Sequence, residues 1–130
     1  MLAIEPKQSV EKNLRVLVVE DDPSSRRALT LLLQLKGFQT AHAATQAEAI
    51  GQLRDNPICV LLDLMLPDGN GSAVLDHIRR HRLPIRVAVT SGAADWESML
   101  QEARPDAYFR KPLDFDQIVR WLTSAQSAAS

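Results

Sequence analysis

Ile58-Cys59-Val60-Leu61-Leu62-Asp63-Leu64-Met65-Leu66-Pro67-Asp68-Gly69-Asn70-Gly71 is an apolar run that stops at a carboxylate and breaks into a turn. A short, continuous run of β-branched and aliphatic residues bounded by turn signals reads as a strand buried on both faces, as in a parallel sheet. Pro67, Gly69 and Gly71 end it. Ligands of open parallel sheets bind outside the carboxyl ends of the strands, which makes Asp63 the expected seat of the chemistry. Taken alone, the residue reads more readily as a loop acid or a helix cap, and the rest of the chain is what overturns that reading.

The rest of the chain repeats the pattern. Arg15-Val16-Leu17-Val18-Val19 is a buried strand that runs into Glu20-Asp21-Asp22-Pro23, where Asp22 and Pro23 form an N-cap and first-turn pair. A first helix follows, with an apolar face of Ala28, Leu29, Leu32, Leu33 and Leu35. Phe38 to Ala43 is a weaker strand, interrupted by polar residues and so placed near an edge. Thr45 to Glu48 has capping-box spacing and starts a second helix. Ser72 is the expected cap of a third, with Val74, Leu75 and Ile78 on one face. Ile85 to Val89 delivers Thr90 to the end of a fourth strand, and Asp95 caps a short fourth helix through Ala103. Ala107 to Arg110 is the fifth strand and stops at Lys111-Pro112; Asp114 caps the last helix, which buries Phe115, Ile118, Val119 and Leu122. Five alternations of strand and helix imply an α/β, doubly wound parallel sheet. Residues 1–13 read as a flexible leader, 14–123 as the folded domain, and 124–130 as a tail or the start of a linker.

Composition narrows the function. A chain of 130 residues, 45% hydrophobic, suits one domain with its own core. A net charge of -1 gives no general reason to expect nucleic acid or membrane partners. The basic cluster Arg79, Arg80, His81 and Arg82 reads as a favourable helix C-terminus. A single cysteine, Cys59, inside a strand is a small core hydrophobe and is consistent with a reducing cytoplasmic setting. No apolar run approaches the roughly 18 residues of a membrane span.

Four strand ends carry pointed chemistry: Glu20 and Asp21, Asp63, Thr90, and Lys111. Carboxylates gathered in one mouth raise one another's pKa unless a cation holds them ionised. Mg2+ fits, because it binds through one or two carboxylates and keeps positions for water and phosphoryl oxygens. With Mg2+ present, an aspartate can attack phosphorus, while an ammonium and a hydroxyl neutralise the transferred group. His42, His77 and His81 are scattered and do not suggest zinc.

Val18-Val19-Glu20-Asp21-Asp22, Leu62 to Gly71, Val89-Thr90-Ser91-Gly92 and Tyr108-Phe109-Arg110-Lys111-Pro112, in this order and spacing, resemble the receiver domains of bacterial response regulators. The resemblance implies a flavodoxin-like (βα)5 fold with five helices and strand order 2-1-3-4-5. It implies that Asp63 accepts a phosphoryl group from a histidine kinase or phosphotransfer protein. Asp21, Asp63 and the Met65 backbone carbonyl would hold Mg2+, with Glu20 assisting through water. Thr90 and Lys111 would bind phosphoryl oxygens, Thr90 and Tyr108 would form the switch, and Lys111-Pro112 would be cis. The readout surface would be the fourth helix, fifth strand and fifth helix. A downstream effector and a phosphorylation-dependent dimer are the expected partners, and the only chemistry expected is the domain's own phosphorylation and dephosphorylation. Glu20 replaces the commoner aspartate, and Arg104-Pro105 stands where the family often has Gly-Ala. The rival enzyme reading is a haloacid-dehalogenase phosphatase, whose motif wants an aspartate at the place of Met65. A flavin-binding module would need a phosphate-cradling loop where this chain has acids.

Overall fold

In the computed structural model of the protein, which describes residues 15–129, the two most apolar runs lie side by side at the centre of a sheet. Strands β1 (Arg15–Val19) and β3 (Cys59–Asp63) pair in parallel, with Val16 opposite Cys59 and Val19 opposite Leu62. Strand β2 (Gln39–Ala43) flanks β1, β4 (Arg86–Ser91) flanks β3, and β5 (Ala107–Arg110) closes the far edge. The order is β2-β1-β3-β4-β5, all parallel, as the resemblance implied. The expected leader lies outside the described residues.

Side chains alternate across the sheet and divide the core into two layers. Leu17, Val19, Val60, Leu62, Val87 and Val89 face one side. There they meet helices α2 (Gln46–Gln52) and α3 (Ser72–Arg80) through Ala49, Val74, Leu75 and Ile78. Val16, Val18, Cys59, Leu61 and Ala88 face the other side, against Leu33 of helix α1 (Pro23–Leu35) and Ile118 and Leu122 of helix α4 (Phe115–Ala129). Cys59 is buried and desolvation pushes its thiol up to about 12, which suits an inert core residue.

Helix starts follow local chemistry. The Asp22 carboxylate accepts from Ser25 N at 2.9 Å with Pro23 opening α1, and Thr45 Oγ1 accepts from Glu48 N at 3.1 Å. Asp114 Oδ1 accepts from Asp116 N at 3.0 Å at the start of α4. Ser72 is not the cap of α3: Gly71 holds that position with φ +80, and the Asn70 side chain accepts from Ser72 N at 3.1 Å.

Three further expectations are corrected. The fourth helix is only a 3-10 turn, Trp96–Met99, and the Asp95 side chain makes no capping bond there. Leu100 takes an extended backbone and is buried, which ends the turn before Ala103, and Pro105 disfavours a helical Arg104 beyond it. The corner before β5 is held instead by Arg79, whose Nη2 donates to Arg104 O at 2.8 Å and pairs with Asp106 at 3.1 Å. The apolar face of α1 is narrower than its leucines suggested: Ala28 is exposed, Leu32 is 40% and Leu35 78% exposed, and only Leu33 is fully buried. Finally, α4 continues to Ala129, through residues expected as tail. The run after Leu122 holds alanine and glutamine and no glycine or proline to stop a helix.

The contrast within α1 is measurable by urea unfolding. Leu33→Ala should cost about 2–5 kcal/mol, whereas Leu35→Ala should change stability by less than about 0.5 kcal/mol. Equal costs would show that the α1 packing described here is wrong.

Candidate functional site

Because every strand is parallel, their carboxyl ends share one rim, and the register decides which residues meet there. Asp63 ends β3 directly opposite Thr90 of β4, and Ser91 lies opposite Arg110, so Lys111 is the first residue beyond β5. Glu20 follows β1, held by its N–H to Ala43 O at 3.0 Å. Glu20, Asp63 and Thr90 are each buried.

Lys111 reaches across this rim. Its Nζ donates to Glu20 Oε1 at 2.9 Å and to Asp63 Oδ2 at 3.2 Å. The other oxygens are also engaged: Asp63 Oδ1 accepts from Met65 N at 3.0 Å, and Glu20 Oε2 from Asp22 N at 3.2 Å. The Lys111-Pro112 peptide is cis. Asp21 is exposed, yet Glu20, Asp21 and Asp63 each offer an oxygen within 4.8 Å of the others.

Electrostatically this mouth is short of positive charge. Burial pushes the Asp63 carboxyl up to about 6, and the neighbouring Glu20 adds to the rise, against the Met65 N–H and the Lys111 ammonium. Burial works against the charge on Lys111, but the bonds and charges of Glu20 and Asp63 outweigh it and hold the ammonium above its ordinary value. One ammonium thus pairs with two carboxylates, with the Asp21 carboxylate close to both. All the donors are hard oxygens, so the chemistry of the set suits a small divalent cation such as Mg2+ and not a thiophilic metal. Met65 lines a cavity of about 440 Å³ together with Asp21, Asn70 and Met99. Gly71 packs so close beneath this loop that a Cβ would lie 2.9 Å from the Asp63 carbonyl oxygen.

Of the residues singled out in the sequence, Glu20, Asp63 and Lys111 touch, with Asp21 and Thr90 beside them. Tyr108 stands apart on β5: its hydroxyl donates to Ser91 O at 3.0 Å and its ring stacks on Trp96 at 4.4 Å. Trp121 meets Phe109 edge-on instead, on the other face. The sequence reading missed Arg26, whose Nη1 donates to the Glu20 carbonyl at 3.0 Å. It also missed Asn70, whose Nδ2 donates to Met99 O and links the loop after β3 to the 3-10 turn. An asparagine before Gly-Ser does signal a local side-chain turn, but its long-range partner has no signal in the sequence.

Comparisons with known proteins identify the family and the fold. A family model described as a response regulator receiver domain matches residues 16–123. The transcriptional regulatory protein KdpE of Mycobacterium tuberculosis (strain ATCC 25618 / H37Rv) is 36% identical over 113 residues, covering 85% of this chain and 50% of that protein. The phosphate regulon transcriptional regulatory protein PhoB of Escherichia coli (strain K12) is 32% identical over 110 residues, covering 81% and 48%. The chain spans about half the length of the curated relatives it matches. A signal receiver domain from Vibrio parahaemolyticus superimposes with TM-score 0.80 at 28% identity, covering 90% of this chain and 92% of that one. A CheY-like receiver domain protein from Methanospirillum hungatei JF-1 shares the fold, with TM-score 0.78 at 23% identity and coverage of 88% and 94%.

The raised Asp63 pKa sets a pH dependence. Without metal, the folded state keeps this proton up to about 6 while the unfolded chain loses it near 3.8, so stability should fall as pH rises between those values. Asp63→Asn should therefore flatten that slope and stabilise the metal-free protein at pH 7 by up to about 3 kcal/mol. Urea unfolding across this window checks it, and a variant less stable than wild type at pH 7 would contradict the assigned electrostatics.

Proposed function

The chain belongs to the response regulator receiver domain family, and on that premise we propose that Asp63 is the acceptor of a phosphoryl group in two-component signalling. The observation that carries the proposal is the Lys111 ammonium lying between the buried carboxylates of Glu20 and Asp63 at the rim of the parallel sheet. The donor is a phosphohistidine on a histidine kinase or a phosphotransfer protein. An Asp63 oxygen attacks phosphorus, the P–N bond breaks as the O–P bond forms, and the electron pair stays on the donor imidazole nitrogen. Asp21, Asp63 and the Met65 carbonyl would hold Mg2+, with Glu20 assisting through water, and the ion would supply charge neutralisation on the phosphoryl oxygens. Lys111, already within 3.2 Å of Asp63 Oδ2, exchanges its carboxylate bond for one to a phosphoryl oxygen. Thr90, paired with Asp63 across the sheet, donates its hydroxyl to another.

That new charge-assisted bond is the switch. Thr90 is drawn toward the phosphoryl group, space opens beside β4, and Tyr108 can leave Ser91 and Trp96 to turn inward. The altered surface comprises the Trp96–Met99 turn, β5 and α4. Its readers are a downstream effector domain or protein and a second copy in a phosphorylation-dependent dimer, all in the cytoplasm; this chain itself does not touch nucleic acid. Among the described residues no helix is long and apolar enough to cross a membrane. The phosphatase alternative finds no support: Met65 occupies the place of its second aspartate, and the matched family is a signalling one. The chemistry expected of the chain is its own phosphorylation and dephosphorylation.

Incubation with Mg2+ and a small-molecule phosphodonor should add one phosphoryl group by intact mass, and Asp63→Asn or metal chelation should abolish the addition. Equal labelling of Asp63→Asn would sink the assignment. The same reaction should change tryptophan emission, with the Trp96 contribution lost in Trp96→Phe. Thr90→Ala should accept the phosphoryl group without the change, and an unaltered response in that variant would reject the route through Thr90.

A further inference from the structure

The loop that carries Met65 is tied down by a set of contacts that the phosphoryl chemistry does not use. Leu66 and Gly69 close it into a turn, with Leu66 N donating to Gly69 O at 3.0 Å and Gly69 N to Leu66 O at 3.2 Å. Asp68 sits within that turn, and its two carboxylate oxygens accept from Gln46 N at 2.8 Å and Ala47 N at 3.1 Å. The Gln46 side chain answers from α2: its Nε2 donates to Asp68 O at 2.8 Å, and its Oε1 accepts from Ala73 N at 3.0 Å in the first turn of α3. Gly69 makes the approach feasible, because at φ +149 a Cβ there would come within 2.1 Å of Gln46 Nε2.

Capping α2 does not by itself account for this arrangement. Thr45 already caps that helix from its own segment through Glu48 N, at 3.1 Å. The bonds from Asp68 cross 22 residues of sequence, so what they add is a fixed position for the loop. Met65 lies between two anchors, the end of β3 at Asp63 and the turn that starts at Leu66.

We propose that Asp68 and Gln46 are positioning residues that hold the loop after β3 so that the Met65 carbonyl is presented to Mg2+ before the ion arrives. This rests on the metal site given under Proposed function. Without the brace the loop keeps its freedom until binding and must lose it then, which lowers affinity without removing any ligand. Groups bonded directly to metal ligands are typically worth about tenfold or more in metal affinity, which sets the scale for a brace acting through the loop.

The test is Mg2+ titration by calorimetry, with thermal unfolding of the metal-free protein, for wild type, Asp68→Ala, Gln46→Ala and Thr45→Ala. Thr45→Ala and Asp68→Ala should both lower the melting temperature, since each removes a cap from α2. Only Asp68→Ala and Gln46→Ala should weaken Mg2+, by about tenfold, and Asp68→Asn, which keeps an acceptor oxygen, should recover part of the loss. Wild-type affinity in Asp68→Ala, or an equal weakening in Thr45→Ala, would overturn the brace while leaving the metal site intact. A wild-type protein that binds no Mg2+ would overturn the metal site and the brace together.

Discussion

Two carboxylates buried against a single ammonium set the terms for this molecule. Ionised acids are costly inside a protein unless they are paired and hydrogen-bonded. Glu20 and Asp63 meet that condition through Lys111 and through the N–H groups of Asp22 and Met65. Such a meeting needs residues 91 positions apart in the chain to come within hydrogen-bond distance, and only the sheet can arrange it. The order β2-β1-β3-β4-β5 puts the Asp63 strand between those of Glu20 and Thr90, and the parallel direction puts all three ends on one rim. The apolar strands behind them supply both the low dielectric that strains the acids and the rigidity that keeps them together.

The balance is incomplete, and its incompleteness is what makes the site useful. The raised Asp63 pKa shows that one lysine does not fully compensate this carboxylate. Under the proposed function, such a mouth would gain by taking up another cation and would then tolerate the negative charge of a phosphoryl group. Lys111 is the partner of both carboxylates, and in the proposed reaction it would also be the partner of the transferred group. Farther out, Tyr108 is held by one hydrogen bond and one stacked ring, contacts weak enough for the proposed switch to exchange.

Much of this was legible in the sequence because it is local. β3 announced itself as an unbroken apolar run ended by turn residues, and Asp22, Thr45 and Asp114 cap their helices as their spacing suggested. The strand ends with pointed chemistry did converge. What escaped depends on geometry between elements. A helix touching the sheet at Leu33 exposes Leu35 whatever its hydrophobicity, since only a narrow stripe of a helix meets its neighbours. The Trp96–Met99 turn ends where Leu100 takes an extended backbone and is buried. α4 ran on because no residue stops it. Asp68 and Gln46 look like ordinary surface residues in the sequence, and their pairing exists only once α2 and the loop after β3 are adjacent.

A crystal structure grown with Mg2+ tests the central claim most directly. The account predicts one ion at roughly 2.1 Å from oxygens of Asp21, Asp63 and the Met65 main chain, with Asp68 still bonded to the first turn of α2. An ion bound elsewhere, or one coordinated at this rim without Asp63, would contradict it.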